Sequence, residues 1–104
     1  MKRFKCKVER VYEYIIEFDE EVLDEEWMKY FRSVFFNYHE LDEHAGHIAQ
    51  MRARFKKSFI EGYGVPLVNG KVSYFANEKS VNKAINIIIV SEDEDCEVDV
   101  EEIE

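Results

Sequence analysis

The sequence is poor in the residues that mark several protein classes: it has one proline, two cysteines, three histidines and four glycines in 104 residues. Two cysteines, Cys6 and Cys96, are too few for a disulfide scaffold and lack the paired spacing of a zinc site. So little glycine and proline excludes collagen-like and low-complexity chains. The longest apolar run, Ile87-Ile88-Ile89-Val90, falls far short of the roughly 20 residues that cross a bilayer. The basic opening Met1-Lys2-Arg3 has no apolar stretch behind it, so no secretory signal is expected. Together these absences predict a cytoplasmic chain with reduced thiols, without a membrane partner.

What is abundant is apolar and charged. Hydrophobic residues make up 46% and aromatics 14%, enough for one core in a chain too short for two ordinary domains. A single domain over residues 1–104 is therefore expected. The net charge of −9 is uneven: residues 91–104 hold nine acids and no base, while the other ninety carry fourteen of each sign. An anionic strip of Glu92, Asp93, Glu94, Asp95, Glu97, Asp99, Glu101 and Glu102 repels phosphate and favours a protein partner with a basic surface.

Residues 4–18 alternate. Phe4, Cys6, Val8, Tyr12, Tyr14, Ile16 and Phe18 share one parity, and Lys5, Lys7, Glu9, Glu13 and Glu17 the other, which predicts a half-buried strand. Its length predicts a bulge near Glu9-Arg10-Val11. Asp24 is placed to cap a helix whose stripe is Trp27, Phe31, Val34, Phe35 and Tyr38. Asn37 reads as the joint to a second helix with Leu41, His44, Ala45, Ile48, Met51, Phe55 and Phe59 on one face, stopped by Gly62, Gly64 and Pro66. Val68-Asn69-Gly70-Lys71 is the signature of a two-residue hairpin turn, with arms Val65–Val68 and Lys71–Tyr74. Ile85–Val90, apolar on both parities, reads as a central strand. Ser91–Asp95 reads as a turn, and Cys96, Val98 and Val100 as a further half-buried strand.

Opposite charges on the outward faces suggest how the ends meet. Lys5 and Lys7 match Glu97 and Asp99 in parity, and such cross-strand pairs contribute about 0.2–1 kcal/mol each. The terminal segments should therefore be neighbours, with Cys6 and Cys96 on the core face. The expected fold class is α+β: an antiparallel three- to four-stranded sheet with a two-helix hairpin packed on one face.

Chemistry-bearing groups are sparse. The densest set is His39, Glu43, His44 and His47, with Glu40 nearby. On a continuous helix His39, Glu43 and His47 fall at i, i+4, i+8, a spacing that suits zinc or another divalent metal. It is neither His-Glu-x-x-His nor half of a di-iron pair, and helix-neighbour pairing explains it as well. No serine sits in a nucleophile elbow, and both cysteines read as inert strand residues. The basic segment Arg52-Ala53-Arg54-Phe55-Lys56-Lys57 spends its aromatic on the core stripe. Its charges are expected to neutralise the acids at 17–26, so direct nucleic-acid binding is not expected.

The sequence thus favours a non-catalytic protein-interaction domain over an enzyme. Its narrower form is an inhibitor whose carboxylates imitate nucleic-acid phosphates. In size and charge alone the chain is similar to small acidic phage and plasmid proteins that block restriction or CRISPR enzymes. The alternative is a metal-binding module or metal-dependent enzyme built on His39–His47. Phe36, Tyr74 and Phe75, surplus to so small a core, point to a homodimer under either reading.

Overall fold

The computed structural model describes residues 1–72 and 77–103, and the side chains of all of these but Glu78 and residues 93–97. The elements run β1 (Arg3–Phe18), α1 (Glu25–Val34), α2 (Leu41–Phe55), β2 (Val65–Val68), a 3-10 turn (Glu78–Ser80) and β3 (Val81–Ile103). The α+β class is as expected. The sheet, ordered β1-β3-β2, is mixed and not purely antiparallel: β1 pairs β3 antiparallel and β2 pairs β3 parallel.

The parallel pairing follows from what the Asn-Gly turn does. The turn forms as its sequence predicts, with Asn69 and Gly70 at φ 51° and 76° and two 3.0 Å hydrogen bonds between Val68 and Lys71. It is then fastened to β3. Asn69 donates its amide to the Ile87 carbonyl (2.8 Å), its Oδ1 accepts from the Ile89 amide (3.0 Å), and Gly70 donates to Asn86 Oδ1 (2.9 Å). Val65–Val68 thereby lies along β3, skipping from Asn82 to Asn86 in register after Pro66, which has no amide to donate. Of the second hairpin arm, Ser73 and Tyr74 lie outside the described residues, as does Phe75.

Both helices open where their caps dictate. Asp24 Oδ1 accepts the Trp27 amide (2.9 Å), as expected of an N-cap. Helix α2 starts at Leu41 behind a capping box of Glu40 and Glu43. It ends at Phe55 with Lys56 left-handed at φ 50°, nine residues before the glycine at 64. Gly62 and Gly64 serve instead a tight turn closed by paired Ile60–Gly64 hydrogen bonds of 2.8 and 3.0 Å, which carries Ile60 and Tyr63 into the core. Gly46, mid-helix, faces open space, so no close approach requires it.

The core is Leu23, Phe31, Ile48, Ile60, Tyr63, Ile85 and Ile87, flanked by Tyr14, Ile16, Phe18, Trp27, Phe35 and Tyr38. Ile85 and Ile87 come from the first part of β3, the central strand, as the two-sided apolar run implies. On β1 the alternation of cover begins only at Tyr12; residues 3–11 are exposed throughout.

That boundary divides the molecule. β3 is one strand of 23 residues, and no turn interrupts it at Ser91–Asp95. The local signal there is a break in register: Arg10 pairs Cys96 but Tyr12 pairs Glu92, so residues 93–95 stand opposite Val11 alone. The bulge anticipated near Arg10 is real, and its extra residues lie on β3. Beyond it, residues 3–10 and 96–103 continue as a two-stranded arm that leaves the body. The molecule measures 60 × 30 × 20 Å with a radius of gyration of 17.9 Å. A compact domain of this length would have about 13 Å.

Candidate interaction surface

The terminal segments do pair, as expected: Lys7 stands opposite Asp99, Lys5 opposite Glu101, and Glu9 opposite Glu97. Lys7 makes its salt bridge along its own strand, to Glu9 at 2.9 Å. With both groups more than half exposed, that bridge contributes little.

Cross-strand partners point to the same side of a ribbon, so the arm has two distinct faces. One is charged, with Lys5 beside Glu101 and Lys7 beside Asp99. The other carries Phe4, Cys6 and Val8 from β1 and Val98 and Val100 from β3, with Cys6 opposite Val100 and Val8 opposite Val98. This apolar face is bare: Phe4 is 56% exposed, Val8 53%, Val98 56% and Val100 62%. Cys6 is an exposed free thiol, which corrects its expected place on the core face. The physical reason is the length of the helical layer, which covers β1 only from Tyr12 onward. Alternation reports which face a side chain is on, and the arm has nothing to lay on that face. An isolated two-stranded ribbon is marginal in water, so this one is short of the cover its sequence is written for.

Where arm meets body, three elements are bolted together. Tyr14 donates its hydroxyl to Glu92 Oε2 (2.6 Å), and Arg52 grips the same carboxylate in a two-pronged bond, Nε to Oε2 at 2.9 Å and Nη2 to Oε1 at 3.0 Å. The guanidinium holds the Glu92 carboxyl below the usual range, and Glu92 in turn raises Arg52. Partial burial and the neighbouring carboxylate push the Tyr14 hydroxyl up. Arg52 is thus spent on Glu92, not on the acids at 17–26; of those, Glu25 pairs with Arg32 at 2.8 Å.

The predicted acidic strip is therefore not uniform. Glu92 belongs to this junction. Residues Asp93, Glu94, Asp95 and Glu97 lie on β3, with their side chains outside the description. Asp99, Glu101 and Glu102 are exposed, the first two in register with lysines.

The four residues of the metal reading do not converge. His39 precedes α2 and is exposed, so the helical spacing assumed for it does not hold. The Glu43 carboxylate accepts the amides of His39 (3.0 Å) and Glu40 (3.3 Å), bonds that lower its pKa. His44 is fully buried, its Nδ1 2.7 Å from the Tyr63 hydroxyl and its ring 4.8–5.2 Å from those of Phe31, Trp27 and Tyr38. Burial depresses its pKa, and Nε2 has no hydrogen-bond partner in this aromatic surround. His47 turns to the Tyr38 hydroxyl (3.1 Å), with Phe36 packed on its ring. Among the described residues no group of three or more His, Cys, Asp or Glu is placed to hold a metal ion.

A cleft of about 190 Å³ lies between the end of α2 and β2, with Val65, Pro66 and Ile87 among its apolar lining and Arg52, Lys57 and Lys71 as its cations. Among the described residues its lining holds no carboxylate or imidazole to act as a general base. Among the described residues no helix is long and apolar enough to cross a membrane. No protein family, curated protein or solved structure matches the chain. Its class rests on its own geometry: a small α+β body that projects a two-stranded arm.

What sequence reading missed was this arm. The signal was present in the opposite charges of the two termini, but the extent of the helical cover was not.

Proposed function

We propose that the chain is a non-catalytic protein-interaction domain whose contact element is the arm, residues 3–10 and 96–103. The observation that carries this reading is the bare apolar face of Phe4, Cys6, Val8, Val98 and Val100, contiguous along both strands. Covering it on a partner buries surface at about 25 cal/mol per Å², and the partner's backbone gains free strand edges to pair with. A narrower version, in which the acids imitate nucleic-acid phosphates in a basic groove, draws less support: Lys5 and Lys7 stand across from two of those acids, and Glu92 is held by Arg52.

Affinity capture from a lysate of the source cell tests the reading, with retained proteins identified by mass spectrometry. The double variant Val8→Asp/Val100→Asp should keep the wild-type melting temperature and lose at least about tenfold of the retained partner. Equal retention by both chains contradicts the proposal. Salt separates the two versions: contact through the apolar face is nearly indifferent to added salt, whereas phosphate mimicry weakens steeply.

A further inference from the structure

The body carries a second candidate site, separate from the bare face of the arm. The 190 Å³ cleft between the end of α2 and β2 has two kinds of lining. Its floor is aliphatic: Val65, Pro66 and Ile87 are buried, and Val68 is half-buried beside them. Each wall adds an exposed lysine, Lys57 just past α2 and Lys71 just past the Asn69-Gly70 turn. Among the described residues neither lysine makes a salt bridge, and no acid lies in the lining. We propose that this cleft binds a free, small aliphatic monocarboxylate, with its tail on the floor and its carboxylate at the two lysines. The inference goes beyond the interaction reading above and does not depend on it.

Charge decides the sign of the ligand. Arg52 also lines the cleft, but its guanidinium is matched by Glu92, so that pair is close to neutral. The carbonyl end of α2 contributes about half a negative charge. The two lysines outweigh it, so an anion is favoured and a cation repelled. Size and polarity narrow the class. The volume is that of about six water molecules, which suits a carboxylate with a tail of about four carbons. An aliphatic floor holds such a tail, whereas a sugar would leave its hydroxyls unpaired against it. A peptide chain would find little to bond. Pro66 has no amide hydrogen, and the amides of Val68 and Lys71 are taken by each other's carbonyls at 3.0 Å. Those two bonds also fix the turn, so the backbone of Lys71 is set before any ligand arrives. On the other wall Lys56, left-handed at φ 50°, turns the chain out of the helix, and Lys57 Nζ lies 5.8 Å from the centre of the Phe55 ring.

Sodium pentanoate, titrated into the full chain and followed by backbone amide NMR shifts, tests the assignment. Saturable shifts are expected at Ser58, Val68, Lys71 and Ile87, with a Kd of about 1 mM for so small a ligand. Pentanamide keeps the shape without the charge, and acetate the charge without the tail. Each should bind at least about tenfold more weakly than pentanoate. The double variant Lys57→Gln/Lys71→Gln should lose about tenfold in affinity for pentanoate and keep its affinity for pentanamide. Both positions are exposed, and an unchanged melting temperature confirms that the variant is folded. The comparison of ligands needs no variant. No saturation by about 20 mM pentanoate overturns the proposal. So does pentanamide binding as tightly as the acid, or a folded double variant that binds pentanoate as well as the wild type. N-acetylvaline, a carboxylate with a peptide bond behind it, separates a free acid from a chain terminus. Binding about tenfold tighter than pentanoate would overturn the free acid in favour of a peptide end.

Discussion

Truncating Phe31 to alanine is expected to lower the unfolding free energy by about 3–5 kcal/mol, the range for a large aromatic lost from a packed core. Phe31 is 1% exposed, and its ring lies 4.8–5.3 Å from those of His44, Tyr63, Phe35 and Trp27. Removing it opens a cavity between both helices and the Ile60–Gly64 turn, and leaves buried His44 without one of its walls. Since small domains hold only about 5–15 kcal/mol in all, this variant should lose a large share of its stability. Urea denaturation measures the loss, with Phe4→Ala as its counterpart on the arm. Phe4 lies outside the core, and its truncation should fall within about 0.5 kcal/mol of wild type. Equal losses at the two positions would mean that the core has been misplaced.

A comparable loss, about 2–5 kcal/mol, is expected for Gly64→Ala. The residue has φ +83°, which costs a Cβ-bearing residue about 1–2 kcal/mol. A Cβ there would also lie 2.5 Å from the Ser80 carbonyl oxygen, a backbone atom that cannot swing aside. Overpacking of this kind adds about 1–3 kcal/mol. Gly46→Ala is the informative control, because its Cβ would meet nothing within 4 Å and alanine suits a helix. Thermal melts should therefore move in opposite directions for the two substitutions. A Gly64→Ala chain as stable as wild type would show that the Ile60–Gly64 turn does not clamp the 3-10 segment.

Local signals carried much of the fold. Asp24, the Asn69-Gly70 turn, the two-sided apolar run at Ile85–Val90 and the charge match between the termini each act over short range or in a simple pattern, and each stands where it was expected. Failures came where distant residues decide. The run Glu92-Asp93-Glu94-Asp95 has poor strand propensity and reads as a turn. Glu92 is nonetheless held in β3 by Arg52 and Tyr14, forty and seventy-eight residues away in sequence. The parallel course of β2 depends likewise on Asn86 and the backbone of Ile87 and Ile89 receiving the turn.

The candidate sites fared in the same way. Helical spacing from His39 to His47 presumed a helix already under way at His39, but the Glu40–Glu43 capping box starts it at Leu41 and takes the Glu43 carboxylate for the backbone. Tyr63, which holds His44, comes from a turn nineteen residues on. At the termini, period-two alternation correctly sorted Phe4, Cys6 and Val8 from Lys5 and Lys7. It could not tell that the helices stop short of them.

The reactivity of Cys6 puts the bare face to its most direct test. In a Cys96→Ser chain, diluted below any self-association, a small thiol reagent should modify Cys6 at a rate within about threefold of that in denaturant, since no opening of the fold is needed. A thiol packed beneath its own helices would react at least about a thousandfold more slowly, limited by the unfolded fraction, and that result would contradict an arm standing clear of the body.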